Sequence, residues 1–177
     1  MLSFLSGCSS TESELDTGMQ LRSKILQTPQ CSFSAEIAAE YGDRIFLFAT
    51  ACETDPNGNI VFTITAPDTI SGISGKLTGE SGNLIFTDMA LAFPLLAEDL
   101  PSPISAPWLF LNALRSGFIV SACTEEDRIR LSVDDTFEDN ALRVDIWLGS
   151  DQLPQDVDIL WDGNRILTMR ITEFYIS

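Results

Sequence analysis

Cys31-Ser-Phe-Ser-Ala-Glu-Ile-Ala-Ala-Glu-Tyr41 puts Cys31, Phe33, Ala35, Ile37, Ala39 and Tyr41 on one parity, and Ser32, Ser34, Glu36 and Glu40 on the other. That is the alternation of a half-buried strand. Gly42-Asp43 follows as a two-residue hairpin loop, and Arg44 to Cys52 returns. Such a loop pairs Tyr41 with Arg44, so Phe46 and Phe48 join the face of Phe33 and Ile37 while Ile45 and Leu47 point the other way. The returning strand is therefore apolar on both sides, and a covering layer is expected over Ile45 and Leu47. The segment Glu12 to Gln27, with Leu15, Met19, Leu21 and Ile25 as its apolar points, is the expected cover. Thr11 and Glu14 form its capping box, and Thr28-Pro29 ends it.

The same grammar runs downstream. In Asp55-Pro-Asn-Gly-Asn59 the spacing of Asp and Asn touches that of a calcium loop, but the later Glu is missing. Pro56-Asn57-Gly58 reads instead as a three-residue turn with Gly58 left-handed, which sets Phe62 and Ile64 beside Phe46 and Phe48. Ile70 to Thr78 is a strand in which Gly72, Gly75 and Gly79 mark bends, and Glu80 to Asn83 turns into Leu84 to Thr87. Ala90 to Pro107 holds four prolines and reads as an ordered loop. Ser105 then caps a short helix from Pro107 through Trp108 to Arg115, stopped by Gly117. Strands return at Phe118–Cys123, Arg128–Asp134, Ala141–Leu148, Leu153–Trp161 and Arg165–Tyr175. The expected fold is mainly β (α+β): a single strongly curved antiparallel sheet of about ten strands, an open half-barrel, with an N-terminal helix and a helical plug insertion.

Composition narrows the function. The chain has 177 residues, is 45% hydrophobic, and carries 26 acidic against 10 basic residues, a net charge of −16. One folded domain is expected, and disorder is not. Lys and Arg are few and scattered, so nucleic acid is not an expected partner. There is no histidine, which excludes Ser-His-Asp and Cys-His nucleophile systems. No glycine-rich phosphate cradle is present. Asp134-Asp135 with Glu138-Asp139 is the densest carboxylate cluster and reads as solvated turn residues, a calcium site there being the weaker option. No enzyme, cofactor or metal site is expected.

Near the start, Leu5-Ser6-Gly7-Cys8 resembles the bacterial lipobox, with Cys8 as the lipid-attachment residue. Only seven residues precede it and none is Lys or Arg, so residues 1–8 read as a truncated lipoprotein signal, 9–12 as a polar tether and 13–177 as one β domain. The expected location is extracytoplasmic, held to the bacterial membrane by acyl chains, since so acidic a chain gains nothing from an anionic surface. Cys31, Cys52 and Cys123 show no C-x-x-C spacing and are expected as buried thiols. By the hairpin register Cys52 faces Phe33, diagonal to Cys31, which argues against a bond between them.

What remains is hydrophobic. Phe33, Phe46, Phe48 and Phe62 share a sheet face, and Trp108, Phe110, Leu111 and Leu114 make a helix apolar nearly all round. Either these close into a plain core, or Phe33, Phe46, Phe48, Phe62, Trp108, Phe110 and Leu111 line a cavity for an acyl chain beneath a Pro-rich lid.

The helix leading into Phe33-Ser-Ala-Glu-Ile37 is followed by Phe62-Thr-Ile-Thr-Ala-Pro67, then Ile70-Ser-Gly-Ile73, the helical insertion, Leu153-Pro154 and the Asp162-Gly163 hairpin. Together they resemble the lipoprotein-carrier superfamily typified by LolA, LolB and RseB, and in particular its Gram-positive lipoprotein branch. The resemblance implies an open half-barrel around helices with an apolar interior. It also implies a role binding a lipid or lipoprotein acyl chain or, alternatively, docking an envelope protein such as a cell-wall enzyme or sensor. No individual lipid-gating residue of the carrier is matched in this chain.

Overall fold

The computed structural model describes residues 12–177 apart from Pro29, Asp43, Glu80, Thr87, Asp88, Leu95, Glu98, Asp99, Asp139 and Asn140. For 86, 89–90, 92–94, 96–97 and 100 it describes the backbone alone. Cys8, the tether and the Thr11 cap thus lie outside the described residues. Helix α1 spans Glu12–Gln27, and β1 (Cys31–Tyr41), β2 (Arg44–Thr54), β3 (Ile60–Ala66), β4 (Ser74–Leu77), β5 (Ser81–Phe86) and β6 (Met89–Pro94) follow as a meander. A small ribbon of β7 (Leu96–Ala97) and β8 (Leu100–Pro101) leads through a 3-10 turn to α2 (Ala106–Ser116). A second meander follows: β9 (Phe118–Glu125), β10 (Arg128–Asp134), β11 (Arg143–Leu148), β12 (Pro154–Trp161) and β13 (Asn164–Ile176).

The two meanders join side by side, giving one antiparallel eleven-stranded sheet in the order β6-β5-β4-β3-β2-β1-β13-β12-β11-β10-β9. The first and last strands are neighbours at its centre, and the helical insertion links its two edges, which lays α2 across one face. The expected registers hold: Tyr41 opposes Arg44, Phe33 opposes Cys52, and Cys52 in turn opposes Phe62. Gly58 takes φ +80°, with its N–H donating to the Asp55 carbonyl.

Three elements differ from the sequence expectation. Residues 67–72 form a turn, with Gly72 at φ +87°, so the expected strand begins only at Ser74. The expected loop begins instead with β6, which pairs with β5. Gly117 ends α2 with an extended φ of −68°, not a left-handed one. A Cβ there would stand 2.4 Å from Val133 Cγ1, so close packing against β10 requires the glycine. Ser105 precedes α2, but its hydroxyl donates to the Ser102 carbonyl (2.6 Å) and caps no helix N–H.

The position of α1 is the larger correction. Its buried residues Gly18, Leu21 and Ile25 face α2, β9 and β10, and a Cβ at Gly18 would lie 2.8 Å from Leu131 Cδ2. Both helices therefore occupy the same face of the sheet. Ile45 and Leu47 stay 67% and 68% exposed, uncovered by any described residue.

Local chemistry secures the turns. The Asp55 carboxylate accepts hydrogen bonds from the side chain of Asn59, from Lys76 Nζ (2.6 Å) and from the N–H groups of Asn57 and Asn59. These bonds, Asn59 first and Lys76 next, hold its pKa well below the usual carboxylate range. A depressed folded pKa stabilises the fold above the unfolded value of about 3.9 and ceases to do so as pH falls through the folded value. Asp55→Asn is expected to lower the melting temperature at pH 7, the gap to wild type closing as pH is taken below about 4. Gly75 lies under the Phe62 ring, and a Cβ there would reach 2.1 Å from the Asn83 carbonyl and 2.7 Å from the ring. Gly75→Ala should cost about 2–3 kcal/mol in chemical denaturation, as overpacking does.

Cys31 and Cys52 are buried free thiols, as the register argued. Burial pushes the Cys52 thiol up to about 12, its hydrogen bond to Thr50 opposing, and also raises Cys31, with Arg115 opposing. Neither should be alkylated by iodoacetamide at pH 8 until the protein unfolds, which peptide mass mapping would show. Cys123 is buried, as expected.

Candidate functional site

On the helix side the described residues are closely packed. Phe110 and Leu111 of α2 are fully buried. The Phe110 ring meets Phe33 edge-on at 5.6 Å and Phe174 edge-on at 6.1 Å, while Phe33 stacks on Phe174 at 5.8 Å. Phe62 is buried over Gly75. The four residues Phe33, Phe62, Phe110 and Leu111 thus belong to one packed core. Trp108 and Phe48 are half-buried at its margin, and Phe46 is 43% exposed beside Tyr41. Tyr41, whose pKa burial raises to about 12, donates its hydroxyl to the Pro101 carbonyl and ties β1 to the insertion. Between α2 and strands β10 and β11 lies a hollow of about 90 Å³, lined by Leu109, Ala113, Val133 and Val144. Ligand pockets run to about 300–1,000 Å³.

The opposite face, free of helices, carries the larger hollows. A trough of about 540 Å³ crosses five strands of it. The pairing builds it as two rows: Asp156, Arg170, Glu36, Ala49 and Ala66 lie abreast, and beside them Asp158, Thr168, Ala38 and Leu47. Phe48 and Pro67 complete the apolar end. The trough is thus divided, apolar over β1–β3 and charged over β12–β13. A second hollow of about 310 Å³ adjoins it along the same strands, between Ser34, Ala51, Val61, Thr63 and Tyr175.

The charged end is unevenly paired. Asp156 meets Arg128 at 2.5 Å and Arg170 at 3.6 Å, and Asp158 meets Arg165 at 3.4 Å. Burial raises the Asp158 pKa against the pull of Arg165, and the neighbouring charges of Asp145 and Asp156 add to the rise. Asp145 stands directly opposite Asp158, and its buried Oδ1 has no hydrogen-bond partner. Among the described residues neither Asp145 nor Glu36 makes an ion pair.

Sequence reasoning saw Leu47 and Ile45 as a face awaiting a cover and singled out neither Asp156 nor Asp158. Only the cross-strand register, which no single segment contains, brings them together. The Asp134 cluster is engaged locally: Arg143 holds Asp134 through two bonds of 2.7 and 2.9 Å, and Asp135 accepts the Leu142 N–H. Among the described residues no group of three or more His, Cys, Asp or Glu side chains is gathered to hold a metal, and no helix is long and apolar enough to cross a membrane.

No family model and no curated protein matches the sequence. Solved structures do. An uncharacterized conserved protein from Thermus thermophilus is similar over 94% of this chain and 88% of its own, with a TM-score of 0.50 at 7% identity. A LolA superfamily protein from Nitrosomonas europaea matches over 96% and 94%, with TM-score 0.46 and 10% identity. A chain in the structure of the CwlD amidase from Clostridioides difficile in complex with the GerS lipoprotein matches over 98% and 100%, with TM-score 0.45 and 14% identity. At such identities the likeness is one of fold. The unclosed antiparallel sheet with both helices on one face is the open half-barrel expected from the sequence.

Proposed function

We propose that this chain is a non-enzymatic, lipid-anchored protein of the bacterial cell envelope that docks a second envelope protein on its sheet. The observation that carries the reading is the contrast between the faces among the described residues: aromatic side chains pack closely on the helix side, while Ile45, Leu47 and the trough stand open on the other. A photo-crosslinking amino acid placed at position 47 in a bacterial host should capture an envelope protein. One placed at the exposed Leu26 of α1 should not. Equal capture from both positions, or none from 47, overturns the docking reading.

Cys8 is the proposed attachment point, on the strength of Leu5-Ser6-Gly7-Cys8. A thioether to diacylglycerol consumes that thiol, so the anchor and a disulfide at Cys8 exclude one another. Labelling with an alkyne fatty acid should mark the chain, and Cys8→Ser should abolish both label and membrane retention. Finding Cys8 in a disulfide in the mature protein sinks the anchor.

The residual exposure of Phe46 and the half-burial of Phe48 and Trp108 favour a second reading, an acyl chain entering between sheet and helix at the margin of the packed residues Phe33, Phe62, Phe110 and Leu111. Native mass spectrometry decides it. Lipid-mass adducts lost on denaturation support it, and a bare protein removes it.

A further inference from the structure

We infer that the divided trough on the helix-free face takes a segment of a partner protein presenting an apolar side chain and, about 15 Å along, a Lys or Arg. The inference rests on the docking reading and gives it a surface and a chemistry. This separation of about 15 Å is the width of three strand spacings: the apolar wall of Leu47 and Ala49 on β2 is two strands from Thr168 and Arg170 on β13, and three from the aspartates of β12. An apolar side chain against Leu47, Ala49 and Pro67 would bury surface that no described residue covers.

The cation is called for by what the carboxylates lack. Glu36, Asp145, Asp156 and Asp158 lie near Arg128, Arg165 and Arg170, of which Arg128 and Arg170 both lean to Asp156, while Arg143, whose charge Asp145 also feels, is held by Asp134. Asp145 is left opposite Asp158 with one buried oxygen unpartnered, a like-charge cross-strand pair that is unfavourable as it stands. An ammonium or guanidinium at that end would neutralise the pair, while an acidic partner would meet both these carboxylates and a chain of net charge −16. A basic, apolar segment is thus attracted at long range and fitted at short range.

The test titrates the 15N-labelled full chain with the peptide Ac-Leu-Ala-Lys-Leu-Ala-Lys-NH2 and with its counterpart bearing Glu for Lys, following amide shifts. The Lys peptide should shift Ala38, Leu47, Ala49 and Thr168, binding at least tenfold more tightly than the Glu peptide and weakening as salt rises. Leu47→Ser and Asp158→Asn should each weaken it fivefold or more with unchanged melting temperature, since Leu47 is exposed and the Asp158 charge is already disfavoured by burial. Shifts elsewhere, or equal binding of both peptides, overturn the inference. So does self-association that Leu47→Ser abolishes, or a preference for phosphatidylglycerol vesicles over the peptide. If the trough is indifferent to the peptide yet crosslinking from position 47 still captures a partner, the inference fails and the docking reading stands. If neither gives a signal, both fall.

Discussion

Replacing Phe110 with alanine is expected to destabilise the protein by about 4 kcal/mol, the largest single loss available to a core aromatic here. The ring is fully buried and is the one side chain of α2 that meets both Phe33 of β1 and Phe174 of β13. Its removal takes away the apolar surface, leaves a cavity roofed by a helix that cannot collapse freely, and loses two edge-to-face contacts worth about 0.5–1.5 kcal/mol each. Urea denaturation followed by circular dichroism should show the midpoint moving with unchanged slope. Phe110→Leu, which keeps most of the volume, should lose about 1–2 kcal/mol. If alanine costs less than about 1 kcal/mol, α2 is not packed as described.

Arg22→Met is the second, at about 3 kcal/mol. Arg22 reaches from α1 to the end of α2, where Nε donates to the Leu114 carbonyl (2.7 Å) and Nη2 to those of Ala113 (3.2 Å) and Gly117 (2.8 Å). The last carbonyls of a helix have no partners within it and carry the negative end of its dipole. A forked cation that accepts no bond itself suits them, and burial lowers its pKa without approaching neutrality. Methionine keeps the aliphatic stem and deletes the bonds. Lysine keeps the charge but not the fork, and about half the loss should remain. Hydrogen exchange should quicken first at the C-terminal amides of α2. Both substitutions act on the same helix, so their costs should not add.

Much of the half-barrel was legible because period two and turn chemistry are local properties. Alternation from Cys31 to Tyr41, the left-handed glycine at 58 and the Phe33–Cys52 register needed only neighbours in sequence. Which strand lies beside which is not local, and nothing in β1 announces β13 as its partner. The path of α1 was missed for the same reason: its apolar points say that it is covered, not by what. In β6, Met89, Leu91 and Phe93 alternate with alanines, but the prolines that follow suggested a loop. The trough needed five strands in register, whereas the Phe33–Phe62–Phe110 cluster could be read as soon as sheet faces were assigned.

The pairing of β1 with β13 joins the chain's two halves at the middle of the sheet, Cys31 lying opposite Ile176. A polypeptide made from its N-terminus delivers β13 last, so β1 emerges early and waits with one edge unpaired. The two meanders therefore join into one sheet only when synthesis is complete. Shortening the chain by its final strand would leave two meanders without a seam, each exposing the edge on which the other should lie.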